Sequence, residues 1–286
     1  MSDESVDWTS VTSATYRIEQ TIRYDYAEPI HDVRHRLIIS PRTSHGDQRR
    51  LTHELVVAPD LPARRRPDAF GNDVVAIAAP YVRDSLAFSL SSTVVRDARL
   101  GPHVVDGAAL RDRALDGTRR LIRVDEALAD AAAALRALHP DATELAESIV
   151  RFVHKTMIYT KNVTDIFTTA SVAYRIGRGV CQDYAHVVIA LARACGLRAR
   201  YVSGHLLGEG ATHAWVEFLV PARGEAARVL SFDPTVGRAT DWRYLVVAVG
   251  RDYEDVAPTS GVFIGNRPGR FDARQTVRVT SVTRAA

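Results

Sequence analysis

The chain predicts an α+β protein in which strands and helices are grouped along the sequence rather than alternating. Three observations carry this. The first third reads as successive strands without a long helix, the middle is rich in alanine, arginine and leucine at helical spacing, and four strand-like runs follow a helix that begins near Cys181. Grouped elements give antiparallel sheets with helices to one side, whereas a doubly wound parallel sheet needs regular βαβ alternation.

Taken in order, "TYRIEQTIRYDY" alternates Tyr16 and Ile18 with polar and charged neighbours. "VRHRLIISP" and "LTHELVVAP" are β-rich runs closed by Pro41 and Pro59, "DVVAIAAP" follows the turn signal "FGN", and "SLAFSLSSTVV" completes a set of five. This series predicts a small antiparallel sandwich or barrel over residues 14–98. The arginine cluster "ARRRP", Arg64 to Arg66, reads as a solvated loop. Residues 105–140 read as a helical connector, since "DEALADAAAALRALHP" is made of good helix formers and stops at Pro140. A second domain over 141–286 opens with Asp141 as N-cap and Glu144 three residues on, and sets Leu145, Ile149, Phe152 and Val153 on one helical face. Val180, Tyr184, Val187, Val188, Leu191 and Cys195 then recur at helical spacing, predicting an amphipathic helix that ends with Gly196 at C′. The runs "LRARYVSGHL", "THAWVEFLV", "RVLSFDPT" and "RYLVVAVG" are the following strands, and the period-two "QTVRVTSVTR" adds a last one to this domain.

Bulk properties narrow the function classes. The 286 residues, 46% hydrophobic and 25% charged, suit one large or two modest domains with a real core. No apolar run approaches the roughly 20 residues that span a bilayer, so no membrane partner is expected. The net charge of +3 comes from arginines spread along the chain, with no basic block interleaved with aromatics to make a nucleic-acid face. "MSDESVDWTS" is acidic and polar, unlike a secretory signal, so the cytoplasm is the expected compartment. Cys181 and Cys195 lie about 20 Å apart along one helix, too far for a disulfide, and read as two reduced thiols. No C-x-x-C, H-E-x-x-H or calcium-loop spacing occurs, so neither a metal nor a cofactor is expected. Oligomeric state is left open.

Cys181 falls in the first turn of its helix, where unpaired N–H groups and the positive end of the macrodipole favour a thiolate. A thiol attacking an acyl carbon needs a base, and the base needs a third group to orient it. His213 begins one strand run and Asp233 ends the next, and neighbouring antiparallel strands bring such residues together. Singly, each has a structural reading: a buried cysteine, a satisfied histidine, an Asp-Pro turn starter. The ordered set points to nucleophilic catalysis. Cys195, at the other end of the helix on its apolar stripe, reads as core. Trp215, two residues after His213, faces the same side of its strand and either shields the imidazole or packs. Asp183 complements the helix dipole, and His186, two-thirds of the way round from Cys181, is expected at solvent or a loop.

"GRGVCQDYAHVVIALARACGLRARYVSGHL", "THAWVEF", "FDPTVG" and "VAVGRDYEDVAPTSGVF" resemble the bacterial transglutaminase-like proteins of the papain-like cysteine-peptidase and transglutaminase superfamily. "TIRYDYAEPI", "LIISPR" and "DAFGND" resemble the β-rich region that precedes the core in that family. The resemblance implies a papain/transglutaminase-like core, its nucleophile at a helix N-terminus packed on an antiparallel sheet, with Cys181 as nucleophile, His213 as base and Asp233 as orienting carboxylate. It also implies an oxyanion donor upstream of the cysteine, for which Tyr159 is the candidate; Gln182 and Trp215 complete the candidate shell of the site. His205 stands where a tyrosine is expected, "PARGEAAR" is a charged loop, and Val236 replaces an asparagine after "DPT". The expected function is hydrolysis of a peptide or protein amide through a thioester. Acyl transfer to an amine is the alternative, and a non-catalytic peptide- or partner-binding module is a third reading.

Overall fold

The computed structural model describes residues 6–112, 115 and 119–285, so parts of the N-terminal signal reading and of the connector lie outside the described residues. The β-rich first third forms β1 (Val11–Asp25), β2 (Ile30–Leu37), β3 (Ser44–His45), β4 (Gln48–Ala58), β5 (Ala63–Pro67), β6 (Asp73–Val82), β7 (Ser85–Asp97) and β8 (Val104–Asp106). The middle follows with α1 (Glu126–Leu138), α2 (Ala142–Thr156), β9 (Ile158–Tyr159), α3 (Ala170–Ile176), β10 (Arg178–Gly179) and α4 (Cys181–Ala194). The remainder is β11 (Arg198–Leu206), β12 (Thr212–Pro221), β13 (Ala226–Asp233), β14 (Arg238–Ala239), β15 (Tyr244–Gly250), α5 (Tyr253–Val256), β16 (Thr259–Ile264) and β17 (Arg270–Arg284).

The N-terminal alternation resolves into two antiparallel sheets, of order β17-β1-β7-β4-β3 and β16-β2-β6-β5. Tyr16, Ile18 and Ile22 of β1 share a buried cluster with Leu37 of β2, Ile77 of β6 and Phe88 of β7, which makes the pair a sandwich. Two placements differ from expectation. The last strand, assigned to the second domain, instead pairs along β1, and β16 pairs with β2, so the C-terminus returns to the N-terminal sandwich. Period-two alternation marks a strand but carries no information about its partner. The "ARRRP" segment is the edge strand β5 rather than a loop. It is exposed throughout, and its arginines blunt an edge that would otherwise invite pairing with another chain.

The second core is the antiparallel sheet β14-β13-β12-β11-β15, which β8 extends by pairing with β13. Ala214, Val216 and Phe218 of β12 join α4 in one buried cluster, with Leu128, Ala132 and Leu135 of α1 and Leu145, Ile149 and Val153 of α2. The helix expected as a connector is thus part of this core. Because helices cover α4 opposite the sheet, every residue from Gln182 to Ala192 is buried, where an amphipathic helix was expected. Asp141 caps α2 by accepting the N–H groups of Thr143 and Glu144 at 2.8 and 3.0 Å. Gly196, at φ 77°, closes α4 with Leu197 N–H bonded to Ala192 O and Gly196 N–H to Arg193 O, a Schellman ending.

The sandwich and the core meet at β15. The Gln48 amide donates to Val246 O and accepts from Val246 N–H at 2.7 and 2.8 Å, and Asn72 does the same with Val249 at 2.7 and 2.9 Å. Two side-chain amides thereby stand in for a neighbouring strand along an otherwise open edge. Among the described residues no helix is long and apolar enough to cross a membrane.

Candidate active site

The short parallel pair of β9 and β10 leads the chain into α4, with Thr160 N–H bonded to Gly179 O at 2.8 Å. Asp183, in the first helical turn, turns back to accept the N–H of Val180 at 2.8 Å and the hydroxyl of Thr164 at 2.7 Å. Gly179 makes room for this, since a Cβ there would lie 2.6 Å from the Asp183 Cβ. The cap sets Cys181 as the first helical residue, partly exposed, in the turn whose N–H groups an α-helix leaves without intrahelical partners.

His213 lies near the start of β12 and Asp233 at the end of β13, and the adjacent strands join them: His213 Nε2 is 2.7 Å from Asp233 Oδ2, both groups buried. Asp233 also accepts Tyr244 Oη–H at 2.8 Å, and on its other oxygen the Thr235 N–H and hydroxyl at 2.8 and 2.6 Å. Burial alone would raise this carboxyl, but the bonds from His213 and Thr235 outweigh it and hold it below the usual carboxylate range. Cys181 and Glu209 both act on the His213 ring, whose Nδ1 lies 3.2 Å from Glu209 Oε2. Burial pulls the imidazole down, yet Asp233, Cys181 and Glu209 together push it up to about 12.

The Trp215 ring stacks on His213 with centroids 6.2 Å apart, and meets Tyr244 edge-on at 5.4 Å. Gly204 on β11 admits that indole, because a Cβ at Gly204 would run into it. Tyr159 is 47% exposed, its ring 6.3 Å from that of Tyr184; burial first, and then Cys181 and Glu209, raise its phenol. The side chain of Gln182 is directed to the Asp165 carbonyl, with Nε2 3.5 Å from that oxygen.

His186 is not at solvent. It is fully buried, its Nε2 accepts the Tyr253 N–H at 3.2 Å, and burial pushes it down to about 3. The helix has no solvent face for it to occupy. Cys195 is buried as expected, its thiol directed to Ala132 O at 3.3 Å. His205 is buried on β11 opposite Thr212, and burial lowers it to about 4. Sequence reasoning missed Glu209, Tyr244, Thr235 and Thr164. Only Thr235 had a local signal, the Asp-Pro-Thr turn in which an aspartate accepts the N–H two residues on.

The family model for the transglutaminase-like superfamily matches residues 129–234, and that for the bacterial transglutaminase-like N-terminal region matches 16–95. The chain belongs to the transglutaminase-like superfamily. The core match begins within α1 and ends just past Asp233, so it spans Cys181, His213 and Asp233. An uncharacterised protein of Mycobacterium tuberculosis is 27% identical over 278 residues, 88% of each chain. One from Mycobacterium leprae is 33% identical over 140 residues, 46% of this chain and 47% of that protein. The structure of a candidate cysteine protease from Cytophaga hutchinsonii superposes with a TM-score of 0.77 at 20% identity, covering 96% of this chain and 93% of that one. This likeness extends the shared fold across the sandwich as well as the transglutaminase-like core.

Proposed function

We propose that this transglutaminase-like protein is a cysteine-dependent enzyme that cleaves amide bonds through a thioester. One observation carries the reading: a buried His213 on which Cys181 acts is held by an Asp233 that is itself hydrogen-bonded to Tyr244 and Thr235. The Cys181 thiolate, paired with the His213 imidazolium, attacks the carbonyl carbon while the N–H groups of Cys181 and Gln182 receive the oxyanion. The C–N bond breaks as the His213 imidazolium gives its proton to the leaving amine. Water then attacks the thioester, its proton passes to His213, and the acid departs. Asp233 acts as a positioning residue, holding the ring by Nε2.

A peptide or protein substrate fits the surroundings. The loop after β9 is tied to the first turn of α4 by Thr164 and Asp165, and it exposes Ile166 and, at 63%, Phe167. Hydrolysis is the first reading, because water is always present unless a site excludes it. Acyl transfer to an amine is the second, favoured by Glu209: a carboxylate 45% exposed at the mouth of the site is one that an incoming ammonium would meet. Two free cysteines suit a reducing compartment, and the cytoplasm is the proposed one.

Iodoacetamide at neutral pH followed by peptide mass spectrometry should label Cys181 well before Cys195; equal rates would remove the nucleophile assignment. With an amide substrate found by screening, the acid product should form at a rate indifferent to added primary amine. Saturation by amine with little acid released would establish the transferase reading instead.

A further inference from the structure

Trp215 and Tyr244, which pack against His213, also line a cavity of about 320 Å³ between the core sheet and the sandwich. Three side chains from distant parts of the chain meet at its wall: His45 at the end of β3, His103 just before β8, and Glu217 on β12. Their donor atoms all lie within 4.8 Å of one another. His45 Nε2 is 2.7 Å from Glu217 Oε1, and the two imidazole rings meet edge to face at 4.4 Å. Arg200 grips the other carboxylate oxygen, with Nε and Nη2 each 2.7 Å from Oε2, so that Oε1 is the oxygen presented to the histidines. The turn after His45 is built for close approach. Gly46 has φ 55°, a Cβ on it would come within 3.0 Å of His103, and the adjacent Gln48 is clamped to β15.

The geometry points to a binding site for a divalent transition-metal ion of the zinc type, held by His45, His103 and Glu217 with a cavity water in the fourth position. Two imidazoles and a carboxylate with one open position form a donor set that suits zinc. A calcium or magnesium ion needs a shell of oxygens and would meet the repulsion of Arg200 and the nearby Arg42 without the compensation of strong bonds to imidazole nitrogen. Tetrahedral bonds of about 2.0–2.1 Å set donor atoms roughly 3.3 Å apart, a separation that small rotations of these side chains reach. On binding, His45 exchanges its Nε2–H···Oε1 bond for the metal and carries its proton on Nδ1. Glu217 lies four residues beyond His213 on the same strand, about 13 Å at ~3.3 Å per residue. The ion therefore staples the sandwich to the core and braces Trp215, and takes no part at the thiol. No spacing motif announces it because its ligands come from three separate segments.

The test uses the full chain carrying Cys181→Ala, so that zinc captured by the candidate nucleophile is not counted. After stripping with a chelator and dialysis against zinc, one zinc per chain should be retained, with a raised melting temperature. A cobalt-loaded sample should show tetrahedral ligand-field absorption without a thiolate charge-transfer band. His103 is only partly buried, so His103→Ala is expected to fold; in it, binding should weaken by more than the ~10–100-fold that loss of an outer-shell partner costs. Zinc bound equally by the His103→Ala chain, no zinc retained by the chain with His103, or a cobalt spectrum with thiolate character would each overturn the site. The cobalt spectrum decides alone if His103→Ala fails to fold.

Discussion

Glu209 reaches the nitrogen of His213 that Asp233 leaves free. Its carboxylate is 3.2 Å from His213 Nδ1, and it is among the groups that raise the His213 pKa. Because the folded value lies above the unfolded 6.5, the associated stability is complete below pH 6.5 and is lost as pH rises through about 12. Glu209→Gln removes one of the charges behind that shift. The His213 ring titration, followed by NMR, should then move to lower pH, and the alkaline limb of any activity should move with it. An unchanged midpoint would show that Glu209 has no hold on the imidazolium. Cys181, His213 and Asp233 were legible because each sits at a recognisable boundary of an element, a helix start, a strand start and a strand end. Glu209 lies on the turn between β11 and β12, and only the folded path of that turn brings it to the ring.

At the scale of the element, α4 is held at both ends, by Asp183 at its start and by Gly196 at its finish. Gly179→Ala tests the first of these. A methyl group within 2.6 Å of Asp183 forces the carboxylate from the Val180 N–H, at a cost of about 0.5–2 kcal/mol for a lost cap, and displaces Cys181 with the first turn. Urea unfolding should give a lower midpoint, and alkylation of Cys181 should slow; unchanged stability and labelling would mean that the turn re-forms without Asp183. The helix was legible from its spacing and its terminal glycine. Its all-round burial was not, since the alanines on its polar side are compatible with either solvent or a covering helix.

Across the whole molecule, several histidines are buried as neutral rings, and these govern its acid limit. Burial lowers His35 to about 4, His186 to about 3 and His205 to about 4. The unfolded chain takes up these protons near pH 6.5 while the folded chain refuses them, so stability is full above 6.5 and falls as pH drops toward the folded values. Melting temperature should therefore decline steadily from pH 6.5 to 4, ahead of the loss contributed by Asp233, whose lowered pKa acts only below its unfolded 3.8. A flat melting temperature across that interval would show that the rings are reached by water. The same scale explains why the sandwich and the core are one unit: Gln48 and Asn72 close the edge of β15, and β16 and β17 bring the C-terminus back onto β2 and β1.

The sequence by itself determined the grouping of strands and helices and the caps of α2 and α4, and it named the three candidates for thiol chemistry. Each of these depends on periodicity or on a short run of neighbours, which is local information. Tertiary structure alone decided that β17 joins the sandwich, that His186 faces protein, that Glu209 and Tyr244 reach His213 and Asp233, and that His45, His103 and Glu217 converge. Those outcomes depend on which surfaces meet, and a pattern of apolar and polar residues says that a face will be covered without saying by what.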